Sequence, residues 1–410
     1  MLNAFFSYAD ASGKVLMVMG SHVDDLLWAN LPEAEPIVDQ VKASFEFGSE
    51  ESRNFRYCGK EVTQDAQGTV KATCKNTTEK LSPIRFPSGR ASTDLATEGE
   101  VSQLMSVIGS LNWVARQCRP ELSYRVSRLQ QNCRLGTTTV AHLRDANKVV
   151  NYAASTADRG LTFEAGAIDW QNLAVLTCVD ASHSNEWAPL SDGQEPEPYR
   201  SQGARILALA TPDVASGDTC RFHPIGYSST TLKRECRSTL QAEAYSLQLG
   251  VESGDVLRAA MADMRGHLLP GTAWEASAAA SMQQVWLTDC KSLQESLSRE
   301  VLAKIADKRL GIELASMRQS LWRNATDPAG NDSVSLRDER PPNTLCTDLV
   351  RWIDTDVMLC DPLTKQMDPY KLLTALDSNF WDLRQPPEAL ARKCAKQEQR
   401  RSTSTEAAIG

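Results

Sequence analysis

Four carboxylates in this chain sit where side chains from distant segments can meet. Asp180 follows a continuous apolar run, Leu173–Val179, and Asp289 follows a second strand pattern, Gln284–Thr288. Glu243 lies inside a long helical pattern, and Asp361 stands before Pro362 at a helix start. Acids at strand ends and on a helix face can converge although they are far apart in sequence. Carboxylates crowded into a poorly hydrated pocket repel one another. Such a set persists when hard divalent cations neutralise it, and acidic oxygen ligands suit magnesium. A pair of these ions can activate water and stabilise the leaving oxygen of a phosphodiester. Taken singly, each acid has an ordinary explanation as a turn residue, a solvated helix residue or a helix cap. A further pair, Asp24 and Asp25, is delivered by an apolar strand between Val23 and Leu26-Leu27. Burying two unpaired acids is costly. The pair either meets metal and phosphate or occupies an exposed hairpin tip.

Hydrophobic periodicity predicts the elements that position these acids. Asn3–Ala9, a turn at Asp10–Gly13 and the strand Lys14–Val23 form a hairpin. Further strands are expected around Phe45 and Phe47, over Phe55–Val62 and over Thr69–Cys74. Residues 78–100 read as loop. Val101, Leu104, Ile108, Leu111 and Ala115 recur at helical spacing. A second helix follows Pro120, and a third carries Val140, Leu143, Val149, Val150 and Ala153. From residue 160 the pattern changes. Leu173–Val179 reads as a central strand buried on both faces, with Gly203–Ala210 and Phe222–Ser229 as neighbours. Glu186–Tyr199, with three prolines, reads as a loop insertion after Asp180. Ser238–Met264 is a long helix, Ala306–Leu321 another, and Leu349–Thr355 a last strand. Residues 325–343 read as loop. From 384 to 410 the chain is charged and rich in Gln, Ser and Thr, so a disordered tail is expected.

Composition narrows the class. The chain has 410 residues, 41% hydrophobic and 23% charged, which suits two or three globular domains. The 11 cysteines and five histidines include no CxxC pair and no cluster, which argues against zinc and for reduced thiols. No apolar run approaches the roughly 18 residues that span a membrane, and the N-terminal residues lack a secretory signal. An intracellular place, cytoplasm or nucleus, is expected. The net charge of −8 argues against binding nucleic acid by overall charge, and leaves open a single basic face.

Several motifs together resemble a known family. Val23-Asp24-Asp25-Leu26-Leu27 resembles the paired-aspartate motif of reverse transcriptases in its copia-type form. Phe55–Val62, Leu104–Trp113 and Arg119–Tyr124 resemble the blocks that follow it. Val179-Asp180-Ala181-Ser182, Ser228-Ser229, Ser238–Tyr245, Leu287–Ser292 and Cys360–Lys365 resemble the strands and helices of the family's ribonuclease H domain. The resemblance covers roughly residues 1–370 and names the C-terminal part of a copia-type LTR retrotransposon polyprotein.

That resemblance implies an α/β fold. A ribonuclease H-like mixed five-stranded sheet with helices, its first three strands antiparallel, would occupy residues 165–375. An incomplete reverse transcriptase palm and helical connection of α+β type would precede it over 1–160. The implied activity is hydrolysis of the RNA strand of an RNA–DNA hybrid, leaving a 3′-hydroxyl and a 5′-phosphate. Asp180, Glu243, Asp289 and Asp361 would be the catalytic residues, holding two magnesium ions, with manganese as an alternative. Discrimination would rest on 2′-hydroxyls and hybrid shape. Upstream polyprotein segments are implied partners, and no membrane is. Asp24-Asp25 without the family's earlier aspartate and fingers implies no polymerase activity for this chain alone. The family commonly carries Lys-His-Ile-Asp before the last strand, whereas Lys308-Arg309-Leu310-Gly311 stands here and no histidine follows. That departure implies slower product release. The rival expectations are an inert transposon remnant and a non-enzymatic nucleic-acid-binding module on the same fold.

Overall fold

At the N-terminal end a three-stranded antiparallel sheet forms from β1 (Ala4–Ala9), β2 (Val15–His22) and β3 (Asp25–Asn30). The computed structural model describes residues 4–187, 198–268, 271, 274–299, 305–321, 348–389 and 391. A helix the periodicity does not announce, α1 (Glu35–Ser44), follows β3 and buries only Val38 of its residues. Phe45 and Phe47, expected in a strand, lie in the loop beyond it. A second sheet has the order β4 (Asn54–Tyr57), β5 (Lys60–Gln64), β6 (Val70–Thr73) and β7 (Gly160–Phe163).

Between β6 and β7 come α2 (Lys75–Glu79), α3 (Glu98–Gln117), α4 (Ser123–Gln131) and α5 (Val140–Ser155). The start of α3 is set by a capping box. Thr97 accepts from the Glu100 amide while the Glu100 carboxylate accepts from the Thr97 amide, which satisfies two otherwise orphaned donors. The apolar stripes of α3, α4 and α5, including Leu104, Ile108, Leu111, Val126, Leu143 and Val150, meet in one core.

The third sheet is built on β8 (Ala174–Trp187). It pairs antiparallel with β9 (Pro198–Ala210), which pairs antiparallel with β10 (Thr219–Thr231). On its other side β8 pairs parallel with β11 (Gln284–Thr288), and β11 pairs parallel with β12 (Leu349–Trp352). The sheet has six strands rather than the five expected, because β13 (Phe380–Asp382) adds to the edge of β10. Only three residues long, β13 carries too short a pattern to be read in advance. The stretch expected as a loop insertion after Asp180 is corrected at both ends. Glu186 pairs with Arg200 and Trp187 with Pro198, so both strands run further than their apolar runs. Residues 188–197, the expected loop 325–343 and nearly all of the expected tail beyond 389 lie outside the described residues. Of that tail, the segment from Arg384 packs: Ala389 is buried and Gln385 donates to Asp354.

Two helical layers cover this sheet. α6 (Thr239–Met264) lies against one face, with α7 (Trp274–Ser281), α8 (Lys291–Ser298) and α9 (Lys308–Leu321) nearby. Gly250 and Gly254 let α6 approach β8. A methyl group at Gly250 would stand 2.6 Å from a Val179 methyl, and one at Gly254 would stand 2.6 Å from the Thr177 hydroxyl. α10 (Asp361–Thr364) and α11 (Tyr370–Ser378) lie on the other face, over a core of Leu176, Cys178, Ile206, Leu287 and Leu363. No helix among the described residues is long and apolar enough to cross a membrane.

Candidate active site

β8 and β11 run parallel, with Cys178 level with Leu287. Continuing that register brings Asp180 and Asp289 to the same end of the sheet. α10 opens there as well, with Asp361 as its first residue. One ligand oxygen from each of Asp180, Asp289 and Asp361 lies within 4.8 Å of the others. Asp180 and Asp361 are buried and Asp289 is half-buried. Glu243 reaches the same end from α6 on the opposite face. Its Oε1 accepts a 3.3 Å hydrogen bond from the Ala181 amide. Its Oε2 is buried without a hydrogen-bond partner among the described residues. Glu243 feels Asp180 and Asp289 but falls outside the tight trio.

The charges disturb one another as electrostatics requires. Burial pushes Asp180 up to about 6 from 3.8, the Asp361 carboxylate pushes the same way, and Lys365 opposes both. Burial holds Glu243 well above the usual carboxylate range, reinforced by Asp180 and Asp289. Burial and then Asp180 raise Asp289, and the Thr355 hydroxyl pulls it back. A low-dielectric pocket with several acids and one ammonium retains protons until a stronger cation replaces them.

Neighbours that the periodicity does not single out complete the cluster. Lys365 Nζ lies 2.6 Å from Asp361 Oδ1 and 3.7 Å from Asp180 Oδ2. The Thr364 hydroxyl donates to Asp180 Oδ2. The Thr355 hydroxyl donates to Asp289 Oδ2 at 2.7 Å. A signal for two of these is present in Asp361-Pro-Leu-Thr-Lys365. Positions three and four residues on in a helix return to the side of the first.

Asp24 and Asp25 are not in this cluster. They are exposed at the tip between β2 and β3, where Val23 takes a positive φ of 58° and His22 pairs with Asp25. A β-branched residue in that region is strained. Among the described residues the acidic trio is the group of carboxylates close enough together to hold a metal ion.

No protein-family model matches the chain, and no curated protein matches it. Among solved structures, the N-terminal RNase H domain of Rv2228c from Mycobacterium tuberculosis, solved as a fusion with maltose-binding protein, aligns over 51% of this chain and 96% of its own. The identity is 11% and the TM-score 0.25, too low to establish a shared fold.

Proposed function

We propose that residues 165–375 form a metal-dependent nuclease of ribonuclease H type, acting on the RNA strand of RNA–DNA hybrids. The observation that carries the proposal is the convergence of Asp180, Asp289 and Asp361, from three separate elements, within 4.8 Å. The strand arrangement supports it. Three antiparallel strands are followed by a long helix bearing an acid and then by two parallel strands. The motifs that resemble copia-type elements point to this substrate class. On the same motifs we read residues 1–160 as the end of a reverse transcriptase, with Asp24 and Asp25 in its paired-aspartate motif.

The donor set fits divalent metal ions. Asp180, Asp289 and Asp361 would hold them, and Glu243 would complete the set. Its buried Oε2 without a partner is costly unless a cation or a proton satisfies it. Magnesium or manganese bound there would supply an activated water and charge neutralisation at the phosphodiester. The protein's own part is positioning. Thr364 holds Asp180, Thr355 holds Asp289, and the Ala181 amide holds Glu243. Buried walls keep the local dielectric low, so each charge acts strongly on a bound phosphate.

A folded chain without turnover is the second reading. It draws on Lys365, whose ammonium already neutralises part of the cluster. One experiment separates these. The purified chain with magnesium should cut a labelled RNA–DNA hybrid, and Asp180→Asn should abolish cutting while leaving the fold intact. Binding without cutting would favour a non-enzymatic module. Neither binding nor cutting would favour the inert chain.

A further inference from the structure

The net charge is −8, yet one cleft gathers arginines with no carboxylate among its lining residues. A cleft of about 800 Å³ opens between α3–α4 and the adjoining residues of β9 and β10. Arg116, Arg134, Arg200 and Arg205 line it, and no Asp or Glu does. Arg116, Arg134 and Arg200 are exposed and Arg205 is half-buried, where Glu252 acts on it from outside the cleft. The remaining lining is largely hydroxyl and amide. Ser228 Oγ, among these, is buried with no hydrogen-bond partner among the described residues.

The cleft is tied to the acid cluster by hydrogen bonds. Buried Gln202 donates to Ser127 on α4 at 3.1 Å and to Ser229 on β10 at 2.8 Å. Ser229 in turn donates to the Leu363 carbonyl at 2.5 Å, on the short helix that Asp361 opens. Ser229 pairs with Ala204, which pairs with Asp180. At a strand spacing of about 4.8 Å, two strands put the cleft floor roughly 10 Å from Asp180.

Guanidinium groups present a planar fork of donors that matches phosphate oxygens. Four of them around a cleft of about 800 Å³ suit several phosphates better than one small anion. The lining also says which part of a nucleic acid it takes. Its one aromatic residue, Tyr227, spends its hydroxyl on the Ala115 carbonyl at 2.7 Å. Unpaired bases are held by stacked rings, and this cleft supplies no free ring of that kind. A duplex backbone is the better fit.

We propose that this cleft binds the phosphodiester backbone of the RNA–DNA hybrid beside the segment held at the acid cluster. The α3–α4 helices thereby form part of the substrate surface. This rests on the nuclease reading and adds to it where the duplex lies.

The test is binding of a fluorescein-labelled hybrid with calcium in place of magnesium, read by anisotropy across a salt series. The double substitution Arg116→Glu and Arg200→Glu changes two exposed side chains, and its melting temperature checks the fold. It should weaken binding at least about tenfold and flatten the log–log salt slope by about one unit per lost contact. Lys148→Glu, which reverses an exposed charge paired with Asp145 on α5, serves as the control. It should move affinity by less than about twofold. Unchanged affinity and slope in the double variant, a loss no larger than the control's, or no binding by the unaltered chain would each overturn the proposal. Preference for a single strand over the hybrid would overturn it as well. The two readings fail separately. Cleft-dependent binding without cutting in magnesium removes the nuclease and keeps the cleft. Cutting that survives the double substitution at unchanged affinity does the reverse.

Discussion

At the residue scale the chemistry turns on protons and one lysine. Asp180 titrates near 6 in the folded chain against an ordinary 3.8. Between those values the folded, metal-free chain holds a proton that the unfolded chain releases. Asp180 therefore contributes a loss of stability as pH rises through that window. Melting temperatures at about pH 4 and pH 6.5 should diverge more in the unaltered chain than in Asp180→Asn. A divalent ion bound there would displace the same proton, so its affinity should climb as pH rises through about 6. Calorimetric titration with manganese at two pH values reads this directly, and equal affinities would contradict it. Lys365 competes for the same oxygens. Lys365→Met should bind manganese at least about tenfold more tightly, seen as a larger metal-induced rise in melting temperature. A weaker rise would mean that the ammonium helps to build the site.

At the scale of elements, how much was legible depended on how strongly each one was patterned. The buried run before Asp180, the stripes of α3 and α5 and the long helix carrying Glu243 were readable because each buries a continuous or periodic apolar set. α1 was hidden because Val38 alone of its residues is buried. α7 was hidden because its Ala/Ser composition has no stripe. α8 was hidden because it offers only Leu293 and Leu297 to the core. The close approach of α6 to β8 was equally invisible, since a glycine in a helix reads as a weak point until its neighbour is known. Gly254→Ala would drive a methyl against Thr177 and Gln284. It should cost about 1–3 kcal/mol in urea unfolding, although alanine is the better helix former. No loss would show that the helix can shift freely. Asn379 carries a comparable constraint at the end of α11. It takes a left-handed backbone, donates to the Thr162 carbonyl at 2.8 Å and accepts from the Glu164 amide at 2.7 Å. Asn379→Ala should cost about 2 kcal/mol in urea unfolding, since it leaves two part-buried backbone groups without this partner and strains φ.

At the scale of the molecule, the N-terminal and C-terminal parts are joined by specific bonds. Tyr227 donates to Ala115, Gln131 to Thr231 and Gln202 to Ser127. Asn379 reaches back to the strand β7, which belongs to the second sheet. Calorimetry of the intact chain should give one dominant unfolding transition. Tyr227→Phe combined with Gln131→Ala should broaden it or split it in two, since each lost bond is worth about 1 kcal/mol of coupling. Two separate transitions in the unaltered chain would show that these bonds couple little.

The order and type of the main elements, and the identity of the acids at their ends, followed from local patterns, because burial on one face or two imprints a period on the chain. The six-strand order, the meeting of Asp180, Asp289 and Asp361, the ammonium of Lys365 among them and the arginine cleft did not. Each of those depends on distances between residues far apart in the chain. Such distances are set by how sheets pair and helices pack, for which a linear pattern carries no coordinate.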